Sequence, residues 1–267
     1  MLAPKLVLTL ALFATLMPPP PNAPIPREPA RLANRLEATT RELNAAVDRW
    51  RASGLARPSR EVALQALYQQ RIYLTLSARR RLASTVIRRL PPGIAREARE
   101  EVLARTELGR LSHPRPLRAF RVGPPEPPGR LRTYYAEAQR RFHVAWQVLA
   151  AVNYVESAFN KLRNASSAGA QGPMQFVPTT WRAYGLGGDI HDPHDAILGA
   201  AHYLHASGAP RDYGRALFHY NPSRFYVDAV LRYARELRND PRAYYVLYSR
   251  QVFVRTRRGL VRLTGPR

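Results

Sequence analysis

Two dense runs of proline, PPPPNAPIPREP (18–29) and HPRPLRAFRVGPPEPPGR (113–130), limit what this 267-residue chain can fold into. Proline removes a backbone donor and its ring clashes with the preceding helical turn, so no long helix or central strand crosses either run. Between and beyond them, apolar residues recur at helical spacing. Leu32, Leu36, Leu43, Val47 and Trp50 fall on one face of a helix from about 30 to 50. A second helix is expected from a Ser59 cap to about Leu90, where Pro91 and Pro92 stop it, and a third from Ile94 to Leu111. Past the second proline run, Thr133 is expected to cap a helix over 134–142, and Asp192-Pro193-His194-Asp195 has the residues of a helix start: cap, proline, first-turn acid. The tail, YYVLYSRQVFVRTRRGLVRL (244–263), changes period to near alternation and predicts a β-hairpin turning at Arg257-Arg258-Gly259.

The chain therefore reads as mainly α. Its expected organisation is an N-terminal segment (1–17), a proline-rich spacer (18–29), a helical region (30–112), a linker (113–130), a second helical domain (131–240) and a basic hairpin tail (241–267). Residues 30–112 hold no histidine and no clustered polar site, which favours a packing role. Residues 1–17 place Lys5 before about a dozen apolar residues and then prolines, the order of a signal peptide or N-terminal anchor. Export to the cell envelope is the expectation. With no cysteine, disulfides, thiolate metal sites and a cysteine-linked lipid are all excluded.

The net charge of +23 is unevenly placed: +12 over residues 1–129, +4 over 130–240 and +7 over 241–267. Basic flanks favour anionic wall polymers or a membrane surface as partners. Nucleic acid is not expected, because no binding motif accompanies the charge.

One carboxylate stands out. Glu156 ends the apolar, helix-patterned run WQVLAAVNYVESAF (146–159), where poor solvation disfavours the ionised form and raises the pKa. A carboxyl still protonated near neutral pH suits a general acid for glycosidic bond cleavage. The segment SSAGAQGPMQF (166–176) follows with hydroxyls, amides and glycines.

Taken in order, VESAFN, SSAGAQGPMQFVPTTW, AILGAAHYL and ALFHYNPS resemble the lytic transglycosylase domain of bacterial cell-wall enzymes, nearest its soluble and membrane-bound type-B groups. The resemblance covers about 143–237. It implies a lysozyme-like helical fold, peptidoglycan glycan strands as substrate, no cofactor, and Glu156 as the single catalytic carboxylate, acid first and base second. By the same resemblance Ser166, or its neighbour Ser167, supports the glutamate or the sugar. Gly169 and Gly172 allow close backbone approach, Gln175 bonds the substrate, and Tyr220 with Asn221 closes the cleft opposite Glu156. Pro173 departs from the apolar residue usual at its position. Met174 is either core or subsite lining, and Tyr184 a possible sugar-stacking surface. A muramidase that hydrolyses the same bond stays open, with Asp189, the one nearby acid without a capping role, as its second carboxylate. A non-catalytic wall-binding protein is the third reading. No metal is expected: His202 and His205 lack a carboxylate at matching spacing, and the 189–195 segment lacks a calcium-loop glycine.

Overall fold

The structure is a computed structural model that describes residues 17–266. In chain order the elements are α1 (Pro29–Ser53), α2 (Arg60–Ser77), α3 (Arg80–Ile87), α4 (Pro92–Leu111), α5 (Pro128–Phe142), α6 (Trp146–Ser157), α7 (Pro178–Tyr184), α8 (Pro193–Ala206), α9 (Tyr213–Tyr220), α10 (Arg224–Asn239), α11 (Ala243–Ser249), β1 (Phe253–Thr256) and β2 (Gly259–Arg262). Mainly helical architecture with a short C-terminal hairpin is as the periodicity predicts, and it fits a lysozyme-like helical domain. The expected signal or anchor segment falls on residues outside those described, apart from Met17.

Helix starts follow the local chemistry. The Glu28 carboxylate accepts from Ala30 N and Arg31 N at the head of α1, Ser59 Oγ from Val62 N at α2, and Asp192 from His194 N and Asp195 N at α8. Proline stands in the first turn of α1, α4, α5, α7 and α8, where its missing N–H costs nothing.

Three expectations need correction. The second helix stops at Ser77, and α3 begins at Arg80 to pack Val86 and Ile87 against α1 and α4. Helix α5 starts at Pro128, so Thr133 lies inside it and its hydroxyl donates to the Gly129 carbonyl instead of capping. Residues 243–249 are helical (α11), which leaves only 253–262 for the hairpin. Every residue from Tyr244 to Ser249 except Tyr245 is buried, so the β-branched and aromatic residues there serve all-round packing, which overrides their strand preference.

One core runs through the molecule. Leu43, Val47 and Trp50 of α1 and Val62 and Ala66 of α2 belong to the same apolar cluster as Leu149 of α6, Ile197 of α8, Val230 of α10 and Leu247 of α11. A satellite cluster of Leu32, Leu36, Ile72 and Val86 closes the far end of the N-terminal helices. The first proline run is docked: Tyr68 Oη donates to the Pro24 carbonyl (2.8 Å), and Arg71 to those of Pro21 and Ala23. The second forms a strap. Val122 pairs with Leu162, Gly123 N donates to Lys161 O (3.0 Å) and Arg163 N to Arg121 O (2.9 Å), tying the strap to the segment just after α6.

A buried charge cluster locks the N-terminal helices to the C-terminal part. Arg250 is 1% exposed and its Nη1 donates to Glu101 of α4 at 2.8 Å, while Arg105 approaches the same oxygen. A cavity of about 700 Å³ lies where α1, α4, α10 and α11 meet, and it contains none of the candidate site residues.

Candidate active site

Helix α6 delivers Glu156 in its last turn, one residue before its end. The apolar residues Val148, Leu149, Ala150, Ala151 and Val152 bury the helix on nearly all sides, so its C-terminal end is fixed in the core. The chain then reverses sharply: Ala158, Phe159 and Asn160 all have left-handed φ, at 51°, 61° and 65°. Left-handed backbone costs non-glycine residues roughly 1–2 kcal/mol each. Burial of Phe159 and the hydrogen bond from Asn160 N to Ser157 Oγ (2.8 Å) offset that cost.

Glu156 is half-buried, and the described residues give it one hydrogen bond, from Tyr226 Oη of α10 to Oε1 at 2.7 Å. Burial raises its carboxyl from 4.5 to about 7, against the opposing pull of the Tyr226 bond. The negative end of the α6 dipole disfavours the ionised form in the same sense. No ion pair to Glu156 occurs among the described residues, so no guanidinium contact there favours its ionised form.

The loop 171–176 is a closed turn, with Gln171 N and Phe176 N each donating to the other's carbonyl at 2.9 Å. Gly172 sits at φ 75° with its α-carbon against the Ile190 carbonyl, and Gln175 at φ 50°. The carbonyls of Gly172, Pro173 and Met174 each have a defined side-chain donor. Ser157 Oγ (2.6 Å) and Asn153 Nδ2 (2.9 Å) reach Pro173 O, Tyr220 Oη reaches Met174 O (2.7 Å), and Gln175 Nε2 reaches Gly172 O (3.0 Å). Pro173 is therefore no disruption: its missing N–H is not called upon, and its carbonyl anchors the turn to α6.

The candidate residues divide accordingly. Met174 is fully buried, a core residue whose backbone holds Tyr220. Tyr220 lies parallel to Tyr226, with ring centroids 6.4 Å apart and 3° between planes, which brings it to the Glu156 side of the site. Its neighbour Asn221 caps the C-terminus of α9 with extended backbone. Ser166 is turned inward on its own loop, its Oγ accepting from Ala168 N and Ala170 N at 3.1 Å each; Ser167 is exposed. Neither serine hydrogen-bonds Glu156. Tyr184 packs at 4.6 Å against Tyr203 with the rings tilted by 36°, and Tyr203 lies 5.6 Å from Tyr220, so a row of half-buried tyrosines leads away from Tyr226.

Asp189 does have a local role: its Oδ1 accepts from His191 N at 2.8 Å, and it is exposed. Asp192, His194 and Asp195 gather close enough to hold an ion, yet each is engaged locally. Asp192 caps α8, Asp195 Oδ2 accepts from Asp189 N, and His194 Nε2 meets Glu137 at 2.9 Å. No sequence signal marks Tyr226, which reads as one more aromatic on an amphipathic helix. Asn153 and Ser157 left a fainter signal, as polar residues four apart inside an apolar run.

Residues 133–241 match the family model described as "Transglycosylase SLT domain", the span that holds Glu156, the 171–176 turn, Tyr220 and Tyr226. This segment is similar to SLT transglycosylase domains. The chain is 31% identical over 153 residues to a membrane-bound lytic murein transglycosylase F of Thiobacillus denitrificans, covering 55% of this chain and 32% of that protein. It is 30% identical over 148 residues to a membrane-bound lytic murein transglycosylase F 1 of Alkalilimnicola ehrlichii, covering 50% and 30%. The chain thus spans about a third of the length of the curated relatives it matches. No solved structure matches it.

Proposed function

We propose that the chain is a lytic transglycosylase of peptidoglycan, cleaving the β-1,4 bond between N-acetylmuramic acid and N-acetylglucosamine. The observation that carries the reading is Glu156: half-buried, held among the described residues by Tyr226 alone, with its carboxyl pushed up to about 7. A neutral carboxyl donates its proton to the glycosidic oxygen as the bond to C1 breaks. The substrate's 2-acetamido group then stabilises the cationic C1. Ionised Glu156, with Tyr226 Oη donating to it, withdraws the proton from the C6 hydroxyl, whose oxygen closes on C1 to give a 1,6-anhydro end. One residue acts in both steps, which agrees with the exposure and turn-capping role of Asp189. The similarity of residues 133–241 to SLT transglycosylase domains supports the same chemistry.

Tyr220, Gln175 and the backbone around Gly172 fit the role of substrate contacts, and the tyrosine row ending at Tyr184 offers faces on which sugar rings stack. A cavity of about 270 Å³ between Pro124, Asn160, Arg163 and Gly172 adjoins the same turn. Ser166 acts here by shaping its loop. Glycan strands place the protein in the cell envelope, in keeping with the relatives named as membrane-bound. No helix among the described residues is long and apolar enough to cross a membrane.

The test is mass spectrometry of digested sacculi with wild type and Glu156→Gln side by side. Anhydro-muramic acid ends from the wild type and none from the variant are expected. Reducing muramic acid ends would replace the reading with a hydrolase, and equal products from both proteins would remove Glu156 from the chemistry.

A further inference from the structure

Two stretches of the chain carry cations and no acid: residues 108–125 and 241–267 contain neither Asp nor Glu. Far apart in sequence, they meet in space. Arg115 N donates to the Arg255 carbonyl (3.1 Å), which lays the strap along β1, and the Arg115 guanidinium reaches the Ala165 carbonyl (3.3 Å). In the hairpin, register sets Arg255 opposite Leu260 and Phe253 opposite Arg262. Alternation puts these four on one face of the ladder and Val254, which is buried, on the other.

Arg118 and Arg121 on the strap, with Arg255, Arg257 and Arg258 on the hairpin, are exposed, and none forms an ion pair among the described residues. Intramolecular pairing therefore does not account for this charge. The same two segments also expose large apolar side chains: Leu117 at 50%, Val122 at 43% and Leu260 at 52%. A soluble polyanion would satisfy the arginines and leave these three in water. The headgroup region of a bilayer takes both, guanidinium to phosphate and apolar side chain toward the acyl boundary.

We propose that the strap and hairpin form one docking face for an anionic phospholipid surface. The face is coupled to the SLT domain, because residues 121–123 pair with 161–163, immediately past the reversal that follows Glu156. Docking therefore holds the end of α6 at a set orientation to the bilayer, so that glycan is cleaved near the membrane.

The experiment is co-sedimentation of the full chain with vesicles of phosphatidylcholine alone and with vesicles that also contain phosphatidylglycerol. The apolar N-terminal run would bind both vesicles alike, so the readout is the difference between them. A preference for the anionic vesicles of at least about tenfold, weakened by salt, is expected from several arginines acting near the surface. Arg118→Glu, Arg121→Glu, Arg257→Glu and Arg258→Glu together abolish the preference, while circular dichroism stays unchanged because all four are exposed. Leu117→Ser with Leu260→Ser weakens binding to the anionic vesicles. Equal binding of both vesicles by the wild type, or a preference that survives the four reversals, overturns the proposal. So does binding indifferent to the two leucine substitutions yet fully competed by poly(glycerol phosphate), which would assign the face to a wall polymer. Glycan cleavage plays no part in these measurements, so they fail or succeed independently of the catalytic reading.

Discussion

Tyr226 Oη lies 2.7 Å from Glu156 Oε1 and joins α10 to the end of α6 across the site. This bond opposes burial, which is the larger effect and sets the Glu156 carboxyl near 7. Tyr226→Phe removes the donor and keeps the ring stack on Tyr220. The variant should lose about 1–2 kcal/mol of transition-state stabilisation, roughly a tenfold fall in kcat/KM. The basic limb of its pH profile should also move upward, because the ionised carboxyl has lost its hydrogen bond. A pH–rate series on glycan fragments checks both; a fall in rate with an unmoved limb would reduce Tyr226 to a packing residue.

How much of this was legible depends on what each residue's neighbours are. The α1 face and the Asp192-Pro193 start of α8 depend on spacing and capping within one turn, and both are in the sequence. Glu156 was legible for the same reason, as an acid at the end of an apolar helix. Tyr226 was not, because its partner lies 70 residues away and its own helix reads only as amphipathic. Ser166 misled in the opposite direction: its hydroxyl is used within four residues, by a turn that the spacing of SSAGA does not disclose. The strap at 113–127 read as a linker because its bonds to Lys161, Arg163 and Arg255 are all non-local. Likewise the β-branched and aromatic residues of α11 read as a strand, and burial on nearly every side accompanies its helical form.

Linkage turns the Glu156 environment into a stability prediction. The carboxyl holds its proton more tightly folded, near 7, than at its ordinary value of 4.5. The native state thus binds more protons between those values, and stability falls as pH rises through that window. Below about 4.5 the contribution is fully present, and above about 7 it is fully lost. Glu156→Gln keeps the acceptor for Tyr226 and cannot ionise. Its melting temperature relative to wild type should rise steadily across the window and level off above it. Glu97, pushed to about 7 by burial, has the same sign in both proteins, so the difference between them isolates Glu156. Thermal melts from acid to mildly alkaline pH decide the matter. A flat difference would mean that Glu156 is solvated like a surface acid.

The Arg250–Glu101 pair should be worth far more than any surface pair. Both side chains are almost wholly buried, and Nε and Nη2 of Arg250 find no partner among the described residues. Glu101→Gln leaves Arg250 and Arg105 uncompensated and should cost about 3–5 kcal/mol. Glu61→Gln, which breaks an exposed pair with Arg49, should cost no more than about 1 kcal/mol. Urea unfolding of the two variants gives the comparison. Equal losses would show that water reaches the cluster.

Two glycines of the SSAGAQG segment separate backbone strain from packing. Gly169 (φ 76°) and Gly172 (φ 75°) share the left-handed conformation. A methyl at Gly169 meets nothing, so Gly169→Ala bears only the conformational cost of about 1–2 kcal/mol. At Gly172 the added carbon would overlap the carbonyl oxygen of Ile190, which is backbone and cannot rotate aside. Relief requires the 171–176 turn to move, and overpacking adds about 1–3 kcal/mol to the conformational cost. That turn is fastened to Ser157, next to Glu156, and to Tyr220, so its displacement reaches the site. Gly172→Ala should therefore lower the melting temperature more than Gly169→Ala and also depress kcat/KM, while Gly169→Ala leaves catalysis close to wild type. If the two variants proved equal in both measurements, the turn would be compliant and the carbonyl anchors at Pro173 and Met174 would not position Glu156.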